Sequence, residues 1–302
     1  MSEENKEIIS KYDVQEGGLN LWYEEVTPNS MKFSLHVKNV LLSKQTKFQK
    51  LDIMDTTAFG RIMTLDGLMM VSDRDECTYH EMISHIPLLT HPDPKKVLII
   101  GGGDGGTLTQ VLKHPGVEKA VLCEIDGDVV QSAKDFFPKL AEGMFHKNAE
   151  VVVGDGVKYV KDTADNTFDV VLVDSTDPIG PGVGLFSTEF YADVKRILKD
   201  DGIVAAQCES PWEDKVDLRK VYQNLKDNFK SVYSYMGSIP SYPYGQWTWG
   251  IATNGVDPRE AGQSERAKKI AEGTRYYTQD IHKAAFAIPK FLLERLENII
   301  EN

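Results

Sequence analysis

The chain has 302 residues, 41% of them hydrophobic, which allows one large domain with a small appended one and excludes intrinsic disorder. Its 34 Lys and Arg against 46 Asp and Glu give a formal net charge of -12, which argues against nucleic acid or an anionic membrane as a partner. Three scattered cysteines provide no disulfide framework, and no apolar stretch approaches the about 20 residues of a membrane span, so we expect a cytoplasmic protein.

The first part of the chain has a sequence pattern that is typical of β structure. Short apolar and alternating runs lie between Leu21 and Val71 and are separated by Pro, Asn or Gly turns. Such runs predict antiparallel strands joined by tight connections. We therefore expect a small antiparallel β unit at the N-terminal end.

The sequence pattern changes after the segment RDECTYHEMISHIPLLTHP, whose apolar residues recur at helical spacing. Beyond it, helical patterns alternate with strand candidates, namely KKVLIIGG, KAVLCEID, AEVVVGD, FDVVLVDS, GIVAAQCE and WTWGIATN. Their uninterrupted apolar runs favour a parallel sheet buried on both faces, hence an α/β fold. The terminal IPKFLLERLENIIEN predicts a last amphipathic helix.

The first chemical signal is the Gly-rich turn in VLIIGGGDGGTL. Gly101, Gly103 and Gly106 match G-x-G-x-x-G, and Glu124 ends the next strand candidate. This spacing is typical of a doubly wound fold in which a carboxylate accepts the hydroxyls of a nucleoside ribose. A nicotinamide oxidoreductase shares the glycine pattern and stays an alternative at this point.

Asp104, inside that turn, argues against a dinucleotide. The turn would face a pyrophosphate, and a nearby carboxylate would repel it in a poorly solvated crevice. Intact S-adenosylmethionine is disfavoured for the same reason, because its tail carries a carboxylate. A tail that ends in a bare ammonium would be attracted. Asp104 could also simply cap the following helix, and the two roles can coexist.

Two further acidic clusters follow strand candidates. Asp155 and Gly156 end VVVGDG, where the Asp could accept an adenine amino group or merely form a turn. Asp174 and Asp177, in VVLVDSTDPIGPGVGLF, suggest a cation site in the same crevice. An ordinary turn before proline would have the same sequence pattern. The Pro- and Gly-rich residues 178–184 after them could form a lid.

Taken together, these motifs resemble the spermidine synthase family. The resemblance runs in order from about residue 20 to 285 and includes GGGDGG, EID, GDG, DSTDPIGP, RDECTYHEM, IPSYPYGQW and TRYYTQDIHKAAFAIP. It implies a Rossmann-like, methyltransferase-type doubly wound sheet preceded by a small antiparallel β domain, with the domains at residues 1–75 and 76–302. It also implies a homodimer or homotetramer.

Residue roles follow from the resemblance at matching positions. Gln49, in the KFQKLDI strand, would bind the ribose or sulfur end of the nucleoside, and Glu124 the ribose hydroxyls. Asp155 with Gly156 would bind the adenine, and Pro181 would close over it.

The remaining roles implied by the resemblance concern the two amines. His80 and Asp104 would hold the ammonium of the aminopropyl donor, decarboxylated S-adenosylmethionine. The acceptor, putrescine, would lie in a channel lined by Tyr79, Asp174, Asp177 and Tyr242. Trp247 or Trp249 could pack on its methylenes, although core packing is the simpler interpretation for both.

The chemistry can also be reasoned from the substrates. An alkyl amine has a pKa of about 10.4, as in lysine, so the nucleophile is protonated at neutral pH and needs a base. Asp174, assisted by Tyr79, would take that proton while the amine attacks the carbon beside the sulfonium. The sulfonium is already a good leaving group, so we expect neither a metal nor a cofactor.

Other sequence patterns give weaker evidence about function. His80, Glu81 and His85 read H-E-x-x-x-H, one residue longer than the metalloprotease motif, so no zinc is implied. We expect surface positions for four further histidines: His36, His91, His114 and His146. Met70 and His80 both stand where some family members have Gln, which leaves the preferred acceptor open. A putrescine N-methyltransferase and a polyamine-binding regulator stay alternatives.

Overall fold

The computed structural model describes residues 20–176, 180–213 and 218–302, and the elements below lie in these ranges. The first sheet has five antiparallel strands in sequential order. They are β1 (Leu21–Val26), β2 (Lys32–Gln45), β3 (Lys50–Thr56), β4 (Gly60–Leu65) and β5 (Leu68–Ser72). Leu51 and Ile53 of β3 point into the main core, so one face of this sheet is buried against the rest of the chain.

The second sheet has seven strands in the order β11-β12-β10-β9-β6-β7-β8. They are β6 (Lys96–Gly101), β7 (Lys119–Glu124), β8 (Ala149–Val153), β9 (Phe168–Asp174), β10 (Leu198–Gln207), β11 (Ser231–Ser238) and β12 (Gln246–Thr253). The strands from β10 to β8 pair in parallel, whereas β12 is antiparallel to β10 and β11 to β12.

The expectation of a wholly parallel sheet is therefore wrong at one edge. The segment WTWGIATN forms a strand as predicted, but it pairs antiparallel in a hairpin with β11. Strand β11, SVYSYMGS, was not predicted, because Ser, Tyr and Gly give it little of the apolar run seen in the fully buried β9.

The helices described are α1 (Glu76–Thr90), α2 (Gly106–Val111), α3 (Gly127–Phe136), α4 (Gly156–Asp162), α5 (Thr188–Ile197), α6 (Leu218–Asn228), α7 (Glu265–Ala271), α8 (Gln279–Ala285) and α9 (Lys290–Arg295). Short 3-10 helices cover Leu140–Phe145, Gly180–Phe186 and Pro258–Gln263. The predicted C-terminal helix is shorter than its pattern, since Asn298 adopts a left-handed φ of 67° that ends regular helix. Among these helices, none is both long and apolar enough to cross a bilayer.

The second sheet separates two core layers. Successive residues of β6 alternate between them, so that Ile99 packs with α1 and the first sheet, and Leu98 and Ile100 pack with the layer that contains α5 and α6. Helix α1 is almost entirely buried between the two sheets. This arrangement brings the first sheet over the carboxyl ends of β6, β7, β8 and β9.

Candidate active site

A cavity of 580 Å³ lies at the carboxyl ends of the parallel strands. Glu124 ends β7 and Asp174 ends β9, and because parallel strands end at the same edge, both side chains reach it. The first sheet contributes Met69 and Met70 to the opposite wall, and the β11–β12 turn contributes Tyr242. The site is therefore built from both sheets.

The cavity brings together most of the residues predicted from sequence. Its lining includes Gln49, Tyr79, His80, Asp104, Glu124, Asp155, Gly156, Asp174 and Tyr242. Asp177 lies outside the described residues. Pro181 belongs to the helix Gly180–Phe186, of which the neighbouring Gly182 and Leu185 line the cavity, and only its backbone is described.

The Gly-rich turn fits closely around Asp174. Gly101 and Gly102 have φ values of 82° and 66°, which disfavour any residue with a Cβ. A Cβ on Gly101 would lie 2.1 Å from the Asp174 carbonyl oxygen, and one on Gly102 would lie 2.7 Å from its Oδ2. Glycine is required here so that the turn carrying Asp104 can lie against the end of β9.

Asp174 is buried, and hydrogen bonds hold both of its carboxylate oxygens. The Tyr79 hydroxyl donates to Oδ1 at 2.7 Å, and the Thr107 hydroxyl donates to Oδ2 at 2.6 Å. Burial and the charge of Asp104 raise the pKa of Asp174, while His80 and the two hydroxyls act against the rise. Sequence reasoning missed Thr107. Its only signal was its position in the first turn of the helix that follows the glycines.

Asp104 faces the cavity and lies just before Gly105, the N-cap of α2, so its side chain makes a local turn with Gly106 and is not the N-cap. Its Oδ1 accepts the Gly106 N–H at 2.7 Å and lies 3.3 Å from Nε2 of His80. Burial acts to raise the pKa of Asp104, but the charge and hydrogen bond of His80 and the Gly106 N–H outweigh it, so the pKa is lowered. Asp104 is therefore a carboxylate at neutral pH.

Glu124 is buried beside the same turn. It accepts the Asp126 N–H at 2.9 Å, and a Cβ on Gly103 would lie 2.7 Å from its Cγ. Burial raises the pKa of Glu124 to about 7, despite this N–H and that of Gly103. A group that binds it by donating two hydrogen bonds would favour the ionised form.

Asp155 caps helix α4, as the turn interpretation held. Its Oδ1 accepts the N–H groups of Val157 and Lys158 at 2.8 and 3.2 Å. It nonetheless lines the cavity with Gly156, whose Cβ, if present, would lie 2.6 Å from Ile100. The two interpretations are compatible in the structure.

Gln49 lies in the turn between β2 and β3, so its prediction as a strand residue is wrong. The Thr46 hydroxyl accepts the N–H groups of Phe48 and Gln49, and this side-chain turn delays the strand until Lys50. The Gln49 amide donates to Asp126 at 3.1 Å. That contact ties the first sheet to the cap of α3.

The aromatic residues divide between cavity and core. Tyr242 donates its hydroxyl to the Met70 carbonyl at 2.8 Å and meets the Trp247 ring edge-on at 4.8 Å, and all three residues line the cavity. Trp249 is fully buried and stacks on Tyr235 with centroids 5.4 Å apart. Core packing thus describes Trp249, whereas Trp247 is partly buried, packs against the same core and also lines the cavity.

Four acidic cavity residues were missed from sequence, namely Glu25, Asp66, Glu209 and Glu213. Glu25 of β1 accepts from the Met69 N–H at 2.8 Å, and Glu213 accepts from the Tyr244 hydroxyl at 3.2 Å. Asp66 and Glu209 belong to the same lining. No motif marks these residues, because they meet only when the first sheet packs over the second. They add negative charge to the cavity.

Two of the histidines predicted at the surface are buried. His91 is 2% exposed and His114 is 4% exposed, whereas His36 is half-buried and His146 is exposed. His114 lies 3.0 Å from Nδ1 of His85, on a side of α1 away from the His80 contacts. Within the described ranges, no group of three or more His, Cys, Asp or Glu is placed to hold a metal ion.

Family models match both parts of the chain. The spermidine synthase tetramerisation domain matches residues 21–73, and the spermine/spermidine synthase domain matches residues 76–259. A polyamine aminopropyltransferase of Desulforudis audaxviator is 47% identical over 278 residues, covering 92% of this chain and 99% of the relative. One of Thermoanaerobacter sp. is 44% identical, covering 93% and 100%.

Solved structures agree with this. A spermidine synthase in complex with the transition-state analogue AdoDATO has a TM-score of 0.89 at 40% identity, covering 92% of this chain and 96% of that one. The enzyme of Thermotoga maritima has a TM-score of 0.86 at 37% identity, covering 92% and 95%. The predicted fold class is confirmed, with its mixed rather than wholly parallel sheet. The chain belongs to the spermine/spermidine synthase family of aminopropyltransferases.

Proposed function

We propose that the chain transfers the aminopropyl group of decarboxylated S-adenosylmethionine to putrescine and so forms spermidine and methylthioadenosine. One observation carries the proposal: Asp104 and Asp174 lie on one negatively lined cavity beside Glu124. Two cations that repel each other in water would be held together there, next to a nucleoside pocket.

The donor would occupy the end of the cavity formed by β7 and β8. Glu124 would accept both ribose hydroxyls, and Asp155 with Gly156 would contact the adenine. Gln49 would approach the ribose or sulfur end, and Pro181 would close over the base. Asp104 would take the ammonium of the aminopropyl tail, since its pKa is lowered and it is ionised.

The acceptor amine would approach Asp174, whose Oδ1 also accepts the Tyr79 hydroxyl. The amine loses its proton to Asp174 and attacks the methylene carbon beside the sulfonium. The carbon–nitrogen bond forms as the carbon–sulfur bond breaks, and the electron pair goes to sulfur. The products are a secondary ammonium, which takes over the positive charge of the sulfonium, and the neutral thioether methylthioadenosine.

The distal ammonium of the acceptor would lie among the remaining acids. Asp177, predicted for this role, is outside the described residues, while Glu25, Glu209 and Glu213 line the cavity. Tyr242 with the neighbouring Trp247 would flank the methylene chain and present aromatic faces to the charge.

The alternative, a putrescine N-methyltransferase, is not favoured. It would place the carboxylate of intact S-adenosylmethionine near Asp104, and the two anions would repel each other. The test supplies purified protein with putrescine and either sulfonium donor. Methylthioadenosine from the decarboxylated donor supports the proposal, and S-adenosylhomocysteine alone would overturn it. Competition with cadaverine, agmatine and spermidine would then define the acceptor.

The proposal also covers the oligomeric state of the protein and its cellular location. We infer a homodimer or homotetramer, because residues 21–73 match a tetramerisation domain and the first two strands expose Leu21, Trp22, Val26 and Val40. Light scattering that shows a monomer would contradict it. We further propose a domain boundary near residue 75, a cytoplasmic setting, no cofactor beyond the donor substrate, and no nucleic-acid or membrane partner.

A further inference from the structure

His80 lies between two carboxylates. Its Nδ1 is 3.0 Å from Oε2 of Glu76, four residues earlier on α1, and its Nε2 is 3.3 Å from Oδ1 of Asp104. A neutral imidazole has one N–H, so it can donate to only one of two acceptors. With carboxylates at both nitrogens, the arrangement is that of an imidazolium that donates to both.

The surroundings of His80 contain few other charges. Arg275, from the segment between α7 and α8, pairs with Oε1 of Glu76 at 3.2 Å and leaves Oε2 to His80. The Tyr79 ring meets His80 edge-on at 5.6 Å, and Asp174 acts on it through its charge. Burial opposes a charge on His80, but Asp104 and Glu76 outweigh it and hold its pKa well above the usual range.

The packing around the ring leaves it no other position. A Cβ on Gly106 would lie 2.3 Å from the His80 ring, so the glycine at the start of α2 makes room for it. His80 is 2% exposed, and its ring contacts Glu76 one turn earlier on the same helix. Glu76 therefore adds to the effect of Asp104 on the charge of the ring, and by holding Nδ1 it leaves Nε2 to face Asp104.

This charge matters to both active-site acids. Asp104 raises the pKa of Asp174, whereas the positive charge of His80 lowers the pKa of each. Without that charge, the pKa of both buried carboxylates would be higher, and less of Asp174 would be ionised to act as the base. One resident cation keeps two anions ionised.

We propose that Glu76 is a positioning residue of this active site: it holds His80 as an imidazolium, and through that cation it keeps Asp104 and Asp174 ionised. This inference rests on the roles proposed above for Asp104 and Asp174. His80 then acts on the donor through Asp104, because an imidazolium has no lone pair to offer an ammonium.

The first test is an NMR titration of the imidazole signals in the full-length, ligand-free protein. His80→Gln identifies the His80 signal by its loss. In the wild type we expect His80 to stay protonated well above the pH at which a free imidazole titrates, and Glu76→Gln should lower its pKa by at least about one unit. A wild-type His80 that titrates near 6.5, or the same pKa in both proteins, would overturn the inference. The wild-type titration tests whether His80 is an imidazolium even if the variant does not fold.

The second test compares kinetics across pH. Glu76→Gln should lower kcat/KM for the donor about tenfold at pH 8 and by much less at pH 6.5, since His80 loses its proton earlier. Glu76→Asp should restore part of the loss, and Glu294→Gln, which alters an exposed i,i+4 pair with Lys290, is the matched control. An equal loss at both pH values would indicate a merely structural role and contradict the proposal. Inactivity of the wild type towards both donors would instead refute the proposed function, and the titration would still stand.

Discussion

The Tyr79 hydroxyl donates a 2.7 Å hydrogen bond to Oδ1 of Asp174, joining the helix between the two sheets to the end of β9. Both residues are buried. It stabilises the carboxylate form of Asp174, which is the form that a base needs. Tyr79 is thus in place both to orient Asp174 and to keep it ionised.

Replacing the base should abolish turnover without removing the nucleoside pocket. We expect Asp174→Asn to lower kcat by about 10² to 10⁴, because the amine stays protonated. Methylthioadenosine should still bind within a few-fold of wild type by calorimetry, since Glu124 is untouched. Asp280→Asn, on the exposed start of α8, is the control. Unchanged turnover would remove Asp174 as the base.

Removing the Tyr79 hydroxyl should shift the pH profile. The hydrogen bond from Tyr79 lowers the pKa of Asp174, so Tyr79→Phe raises it and the acidic limb of kcat/KM should move to higher pH. We expect the largest loss on the acidic limb of the profile and a smaller one on the plateau above it. Tyr235→Phe, whose hydroxyl bonds the Met82 carbonyl, tests the effect of deleting a buried hydroxyl outside the cavity lining. A uniform loss at every pH would argue against this assignment.

The choice of donor should depend on Asp104. Asp104→Asn removes a charge that attracts an ammonium and repels a carboxylate, so affinity for decarboxylated S-adenosylmethionine should fall by about 10- to 100-fold. Affinity for intact S-adenosylmethionine should fall less or rise. Titrations of both ligands measure the ratio. If the ratio does not change, Asp104 does not discriminate between the donors.

Glu124 should show a conflict between stability and binding. Burial raises its pKa from 4.5 to about 7, so ionising it costs folding free energy that grows as pH rises from 4.5 to about 7 and stays constant above that. Glu124→Gln should stabilise the ligand-free protein at pH 8 by about 1 to 3 kcal/mol and abolish most nucleoside affinity. Thermal unfolding with and without methylthioadenosine measures both effects. If the ligand-free variant is less stable than the wild type at pH 8, the predicted stabilisation is contradicted.

The His85–His114 pair should make stability sensitive to acid. Burial lowers the pKa of His114 to about 3 and lowers the pKa of His85 as well. Because both titrate near 6.5 when unfolded, stability is lost as pH falls below 6.5, by about 2 kcal/mol per histidine at pH 5. His114→Gln should flatten this slope in denaturant melts at several pH values. His146→Gln, at an exposed position, should leave it unchanged.

Local sequence signals predicted a large share of the site. The Gly-rich turn with Asp104, and the acids at the ends of β7, β8 and β9, were found because each follows an apolar run and parallel strands end at one edge. Family resemblance added Gln49, Tyr79, His80 and Tyr242 as expected ligand contacts. All of these line one cavity in the structure, while their individual roles stay predictions.

The sequence alone determined the alternation of buried strands and helices, the Gly-rich turn and its carboxylates, because these depend on periodicity and on neighbours along the chain. Tertiary structure decided the antiparallel β11–β12 edge, the burial of His91 and His114, and the presence of both Glu25 and Glu213 on one cavity. It also decided that His80 lies between Glu76 and Asp104. Such contacts join residues from distant parts of the chain, and packing two sheets around α1 creates them, so no local pattern records them.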